Sequence, residues 1–399
     1  MAKRRGRNEG TLYKCPNGRW RAQASLEGSR ASFTANSKAE CQSWLRKMLN
    51  QAEQGWNYAG SKMTLEEYLP IWLENSQASL RLKTHDQYRR TIEKHILHHV
   101  GKIRLKDLHT ERVERFYASL LKSGSGVRTV RIVHAVLHRA LEKAVRYGLI
   151  LRNPTQGAAL PQYKHAEMLV LDETQVSQLL VAANDSRHKA LYHLAVITGM
   201  RMGELFGLRW SDLQWISGRI YVRRQVQYVP GHGWSFVEPK TRSGRRTIKL
   251  GEGVLQALQE HLVRQQEERT AVGERWVENE LIFPSKTGTP MDASNLRLDF
   301  YQVLQNAGLP KIRFHDLRHT AASLMLNHGI PVIVVSKILG HSKPSITMDI
   351  YGHLYNEMQD EAAQLMDELV TPICTQLHSK NESLLEKQAQ PQDMGVKRE

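Results

Sequence analysis

Between residues 11 and 35 apolar and polar positions alternate in short runs, Thr11-Leu12-Tyr13, Trp20-Arg21-Ala22-Gln23-Ala24 and Ala31-Ser32-Phe33-Thr34. The turn formers Pro16-Asn17-Gly18 and Glu27-Gly28-Ser29 separate them, so the pattern predicts three antiparallel strands. From Ser37 the period becomes helical, with Ala39, Trp44, Leu45, Met48 and Leu49 sharing a face until the chain nears Gly55. A sheet this small needs such a helix as its cover. Its open face would then carry Arg19, Arg21 and Arg30, which suits a strand reader entering a DNA major groove; a small protein-binding module is the other reading.

A linker, Asn57 to Lys62, precedes Thr64-Leu65-Glu66-Glu67, a capping box that opens a helix. Thr84 and Thr110 are expected to cap further helices ahead of amphipathic stretches at 85–99 and 111–122, and a longer one runs from Val127 to Tyr147. Asn153-Pro154 and Pro161 close this all-helical unit, and Leu171-Asp172-Glu173 opens the next. That third unit is mostly helical, except that Ile220-Tyr221-Val222, Trp234-Ser235-Phe236-Val237 and Thr247-Ile248-Lys249-Leu250 alternate, with Gly231-His232-Gly233 as a turn. A three-stranded insert is expected there. After Pro372 the chain turns polar, the composition of a flexible tail.

The fold class expected is therefore α+β and mainly helical. Its domains run from 1 to 58 (sheet plus helix), 62 to 153 (helical) and 168 to 372 (mixed), with a tail at 373–399.

Composition sharpens the picture where charge is concerned. The 399 residues carry a net charge of +16, and residues 1 to 152 hold 29 Lys and Arg against 13 Asp and Glu, which accounts for all of it. Localised positive charge attracts a polyanion, and nucleic acid is the commonest in the cytosol. The longest apolar run, Ile330 to Val335, falls far short of the roughly 18 residues of a membrane span. Lys3, Arg4, Arg5 and Arg7 lead into polar residues rather than a signal-peptide core, so a cytoplasmic, nucleoid-associated protein is expected. Cys15, Cys41 and Cys374 are scattered and read as free thiols.

Several chemistries can be set aside. The only Gly-Lys pair, Gly101-Lys102, lacks the rest of a phosphate-binding loop, which argues against ATP hydrolysis. In His315-Asp316-Leu317-Arg318-His319 the histidines have the spacing of a zinc helix, but Asp replaces the usual Glu and Arg318 sets a cation beside the would-be metal. Arg318 and His315 instead share a helical face, a pair suited to phosphate. In Thr198-Gly199-Met200-Arg201-Met202-Gly203-Glu204-Leu205 a glycine break puts Arg201 at a helix start, with Glu204 one turn on. Leu339-Gly340-His341 and Thr347-Met348-Asp349-Ile350-Tyr351-Gly352-His353 follow. Singly, each has a structural explanation: a surface ion pair, a helix end, a core aromatic.

Together and in this order, with Lys240 in the turn Pro239 to Arg246, these elements resemble the tyrosine recombinases, the phage-type integrases. The resemblance is strong over about 171 to 358, extends to the helical unit as a core-binding domain, and reaches the first unit as an arm-binding domain. It implies Tyr351 as the nucleophile that forms a 3'-phosphotyrosine, Arg201 and Arg318 as phosphate ligands, and His315 as proton acceptor. His341 becomes a further donor, Lys240 the acid for the departing 5' oxygen, and Glu204 an orienting partner. His319 and His353 are expected to be structural. No cofactor or metal is implied. The partners implied are duplex attachment sites and a homotetramer with a Holliday junction intermediate, besides a host DNA-bending protein and a directionality factor. The amphipathic stretch Met358, Ala362, Leu365, Met366 and Leu369 is expected to pack on a neighbouring protomer or on its own domain. The function expected is integration and excision of a mobile element; a chromosome-dimer resolvase, a type IB topoisomerase and an inactive DNA-binding regulator are the alternatives.

Overall fold

The computed structural model describes residues 10–26, 29–53, 60–163, 168–239, 241–351, 363–368 and 370. They fall into two compact units, one of residues 1–166 with 229–231 and one of 167–228 with 232–399.

In the first unit the strands β1 (Thr11–Lys14), β2 (Trp20–Leu26) and β3 (Ser29–Ala35) form an antiparallel sheet in that order. Alternation decides the faces: Ala22, Ala24 and Leu26 are buried beneath α1 (Lys38–Glu53), whereas Arg21, Gln23 and Ser25 point away. Phe33 stacks on Trp44 of that helix, with ring centres 5.7 Å apart. Ser37 caps the helix by accepting the Glu40 N–H at 3.1 Å.

The helical part contains α2 (Leu65–Asn75), α3 (Leu82–Thr91), α4 (Leu97–Val100), α5 (Thr110–Lys122) and α6 (Val127–Arg146). A π-helical turn, Ile92–Ile96, joins α3 to α4. Leu65, Leu69, Ile96, Leu105, Val113, Val133 and Leu137 form its core, separate from that beneath the sheet. The capping box at Thr64 is present, the Glu67 carboxylate accepting the Thr64 N–H at 2.7 Å. The other two caps are corrected. Thr84 lies inside α3, because the Arg81 carbonyl already takes the N–H groups of Thr84 and His85; Thr110 is the first residue of α5, whose cap is His109. Asn153 is buried where the bundle ends, and its side chain accepts the Thr155 N–H and donates to the His138 carbonyl.

The second unit begins with α7 (Glu173–Ala182), capped by Asp172, followed by α8 (Lys189–Thr198) and α9 (Met202–Phe206). Strands β4 (Leu213–Gln214), β5 (Arg219–Val222), β6 (Gln225–Val229), β7 (Gly233–Val237) and β8 (Arg246–Lys249) come next. The helices α10 (Glu252–Val272), α11 (Ala293–Asn306), α12 (Asp316–Asn327), α13 (Val332–Leu339) and α14 (Pro344–Tyr351) complete it. A three-stranded antiparallel sheet does form, but in the order β4-β5-β8, with Leu213 and Ile248 flanking Ile220; residues 234–237 pair with β6 in a separate two-stranded sheet. Leu213, Ile220 and Ile248 feed the same core as Tyr192, Phe283 and Phe300.

The tail from 373, with Cys374, lies outside the described residues, as do Met358, Ala362 and Leu369; Leu365 and Met366 are exposed. No helix among the described residues is long and apolar enough to cross a membrane.

Candidate active site

The site is assembled from the ends of helices in the second unit. Helix α8 stops at Gly199, which adopts φ 59° and returns its N–H to the Ala195 carbonyl at 2.9 Å. A Cβ there would lie 2.4 Å from Leu339 Cδ2, so a side chain is excluded by space as well as by conformation. The Gly199 carbonyl accepts Arg318 Nη1 at 2.7 Å, and two residues later Arg201 opens α9. One glycine therefore aims two cations.

Arg201 Nη1 donates to Glu204 Oε1 at 2.9 Å, while the Arg201 N–H donates to Oε2 at 3.1 Å. The Arg201 side chain is 40% exposed and Glu204 2%, so the charge faces solvent while its carboxylate partner is buried. Burial alone would raise the Glu204 pKa, but Arg246 and Arg201 outweigh it and hold the carboxyl below its ordinary value. Arg318 is buried in the first turn of α12. Asp316, beside it, accepts the Arg313 N–H at 2.7 Å and pairs with that guanidinium, which fixes the entry to the helix.

His315 caps α12, its ring edge-on to His319 at 5.4 Å. His341 follows the left-handed Gly340 at the end of α13, and its Nδ1 bonds Thr347 Oγ1 at 2.8 Å. Thr347 is fully buried in α14, one turn before Tyr351, the last residue of that helix. Partial burial of the His315 ring, then His319, Arg318 and Arg201, push its pKa down to about 4, although one edge remains exposed. Burial, then Arg318, Arg201 and Arg246, push His341 down to about 4 as well. Both rings are therefore neutral near pH 7 and able to accept a proton or a hydrogen bond.

An NMR titration of the unliganded protein is expected to show both rings titrating near pH 4 rather than near the ordinary 6.5. Since the unfolded chain binds these protons near 6.5 and the folded one does not, stability is held above that pH and lost as pH falls toward 4. Titration of both rings at the ordinary value would contradict this.

The structure thus brings together Arg201, Glu204, His315, Arg318 and His341 beside the helix that ends at Tyr351. Lys240 and His353 lie outside the described residues, and for Tyr351 only the backbone is described. Arg21 and Arg30 lie on the open face of the sheet in the other unit, with Arg21 between Tyr13 and Thr34; Arg19 immediately precedes β2. Sequence reasoning missed Thr347, Asp316 and above all Arg246, whose Nη2 holds Glu204 Oε2 at 2.9 Å. No spacing signal marks Arg246, since its partner stands 42 residues earlier.

Comparison with known proteins agrees with this arrangement. The phage integrase family model matches residues 169–358, and that of the phage integrase N-terminal SAM-like domain matches 64–121. An integrase of Streptomyces ambofaciens is 30% identical over 387 residues, covering 92% of this chain and 98% of the relative. The fold is shared with the Tn1549 transposon integrase solved with a circular intermediate DNA, at TM-score 0.65 and 21% identity over 76% of this chain and 99% of that one. It is shared also with lambda integrase, solved as a tetramer on a Holliday junction, at TM-score 0.54 and 19% identity over 87% and 96%. With its cations and neutral histidines gathered at these helix ends, and with relatives matching over nearly their whole length, the chain belongs to the phage integrase family, the tyrosine recombinases.

Proposed function

We propose that this site-specific recombinase of a mobile element cuts DNA by attack of the Tyr351 phenol on the scissile phosphate, with five further side chains managing charge and protons. The observation that carries the reading is the pair Arg201 and Arg318, tied to one glycine and flanked by two histidines held neutral. A phenol of ordinary pKa near 10 is a weak nucleophile and a phosphodiester repels it, so the site must neutralise charge and remove a proton. Two guanidiniums donate paired hydrogen bonds to the non-bridging oxygens, where charge gathers in the transition state. Neutral His315 accepts the phenolic proton, neutral His341 donates to the phosphate through the nitrogen not engaged by Thr347, and Lys240 protonates the departing 5' oxygen.

The phosphotyrosine keeps the energy of the broken bond, so a 5' hydroxyl of another strand reverses the step without ATP or a metal. Four protomers on two synapsed duplexes, with a Holliday junction between strand swaps, complete the reaction. Arg19, Arg21 and Arg30 read arm-type sites from the open sheet face, and residues 62–153 hold the core site. A host DNA-bending protein, a directionality factor and the nucleoid are the further partners in this reading.

The test uses a nicked duplex drawn from DNA flanking the gene, in EDTA and without ATP. A detergent-resistant protein–DNA adduct is expected, and it should be absent with unrelated sequence. Bound DNA that is never attached would leave a regulator, and equal attachment to random DNA would point to a topoisomerase.

A further inference from the structure

We infer that Arg246 is a positioning residue of the cleavage centre, an assignment that rests on the reading above: its guanidinium holds the Arg201–Glu204 pair in register with the end of α13 that presents His341. The Arg246 side chain is 6% exposed. Nη2 donates to Glu204 Oε2 at 2.9 Å, Nε donates to the Ile338 carbonyl, and Nη1 donates to the Gly244 carbonyl at 3.2 Å. All three nitrogens are thus turned to acceptors in three different places: α9, the last turn of α13, and the turn between β7 and β8. None is left to reach a substrate phosphate, so the residue acts through its neighbours.

A second observation shows that the His341 end of α13 is built against this guanidinium. Gly340, the residue before His341, has φ 71°, and a Cβ on it would sit 2.9 Å from Arg246 Nη1 and 3.0 Å from the Ser243 carbonyl. The turn can approach only because it has no side chain. Glu204, for its part, has two oxygens and two cations. While Arg246 occupies Oε2, the Arg201 guanidinium is confined to Oε1 and keeps its remaining donors for the phosphate. Without Arg246, a buried carboxylate would draw the Arg201 fork onto both of its oxygens and away from the substrate. Lysine cannot substitute, since a single ammonium cannot span three acceptors held at fork geometry.

The defect expected is therefore in rate and not in DNA affinity. With the full-length protein and a nicked attachment-site duplex, Arg246→Lys should form adduct about 30-fold more slowly at saturating DNA, with the half-saturating DNA concentration within about twofold of wild type. Combining it with Glu204→Gln should give a double variant no more than about threefold slower than the slower single, because both changes break one linkage. Arg246→Gln, which keeps one short donor, is used under the same criteria should the lysine variant melt below the assay temperature. Rates within about threefold of wild type, multiplicative losses in the double variant, or a loss that appears only as weaker DNA binding would each overturn the assignment. A wild-type protein that forms no adduct would overturn the phosphotyrosine reading itself, and Arg246 with it.

Discussion

Tyr351→Phe should lose covalent attachment to DNA completely, a fall of at least about 10,000-fold in adduct formation on a nicked substrate. Phenylalanine keeps the ring and removes only the oxygen that would bond to phosphorus. The helix that carries the residue is anchored a turn earlier by the buried Thr347 and its bond to His341, so this change should not disturb the fold. DNA affinity, measured by gel shift at fixed salt, should stay within about threefold of wild type, because binding draws on many backbone contacts spread over a strongly basic chain. Persistent attachment by the variant would move the nucleophile elsewhere.

The second large effect concerns the two arginines. Arg201→Lys should slow cleavage by about 100-fold, and Arg318→Lys by about 1,000-fold, with DNA affinity again nearly unchanged. The order follows from their surroundings. Arg201 is 40% exposed and its carbonyl and N–H, which start α9, are unaffected by the change. Arg318 is buried and also supports the Gly199 carbonyl, so its loss disturbs the residue that positions Arg201. Thermal melts run beside the cleavage assay separate the contributions: Arg318→Lys should lower the melting temperature, and Arg201→Lys should leave it nearly unmoved. Equal losses of binding and cleavage in both variants would make these residues phosphate anchors without a special role in the transition state.

Some features of the chain are written locally. The alternation in 20–26 placed Ala22 and Ala24 inward and Arg21 outward before any fold was considered, because side-chain direction in a strand has a period of two. Thr64 and Glu67 announced a helix start because a capping box closes within one turn. Gly199 marked a break because few other residues adopt its conformation. The motif residues were legible for a similar reason: each lies within a few positions of a helix start or end.

Pairing was less legible. The turn Gly231-His232-Gly233 was recognised, yet β7 was grouped with the wrong strands because its partner β6 has weak alternation and β4 is only two residues long. Short strands carry little information about their neighbours, and register depends on which faces the core accepts. Thr84 misled because a hydroxyl prefers a cap but does not compel one when a backbone carbonyl already starts the helix.

By itself, then, the sequence determined the order of helices and strands, the family, and which residue types would meet a phosphate, since those depend on local periodicity and a few closely spaced positions. Only the tertiary structure decided that His315 and His341 stand neutral, because their pKa values depend on burial and on cations from other elements. It alone decided, too, that Arg246 joins Glu204 to the Ile338 carbonyl across 92 residues of chain, a closure set by packing and invisible to any local pattern.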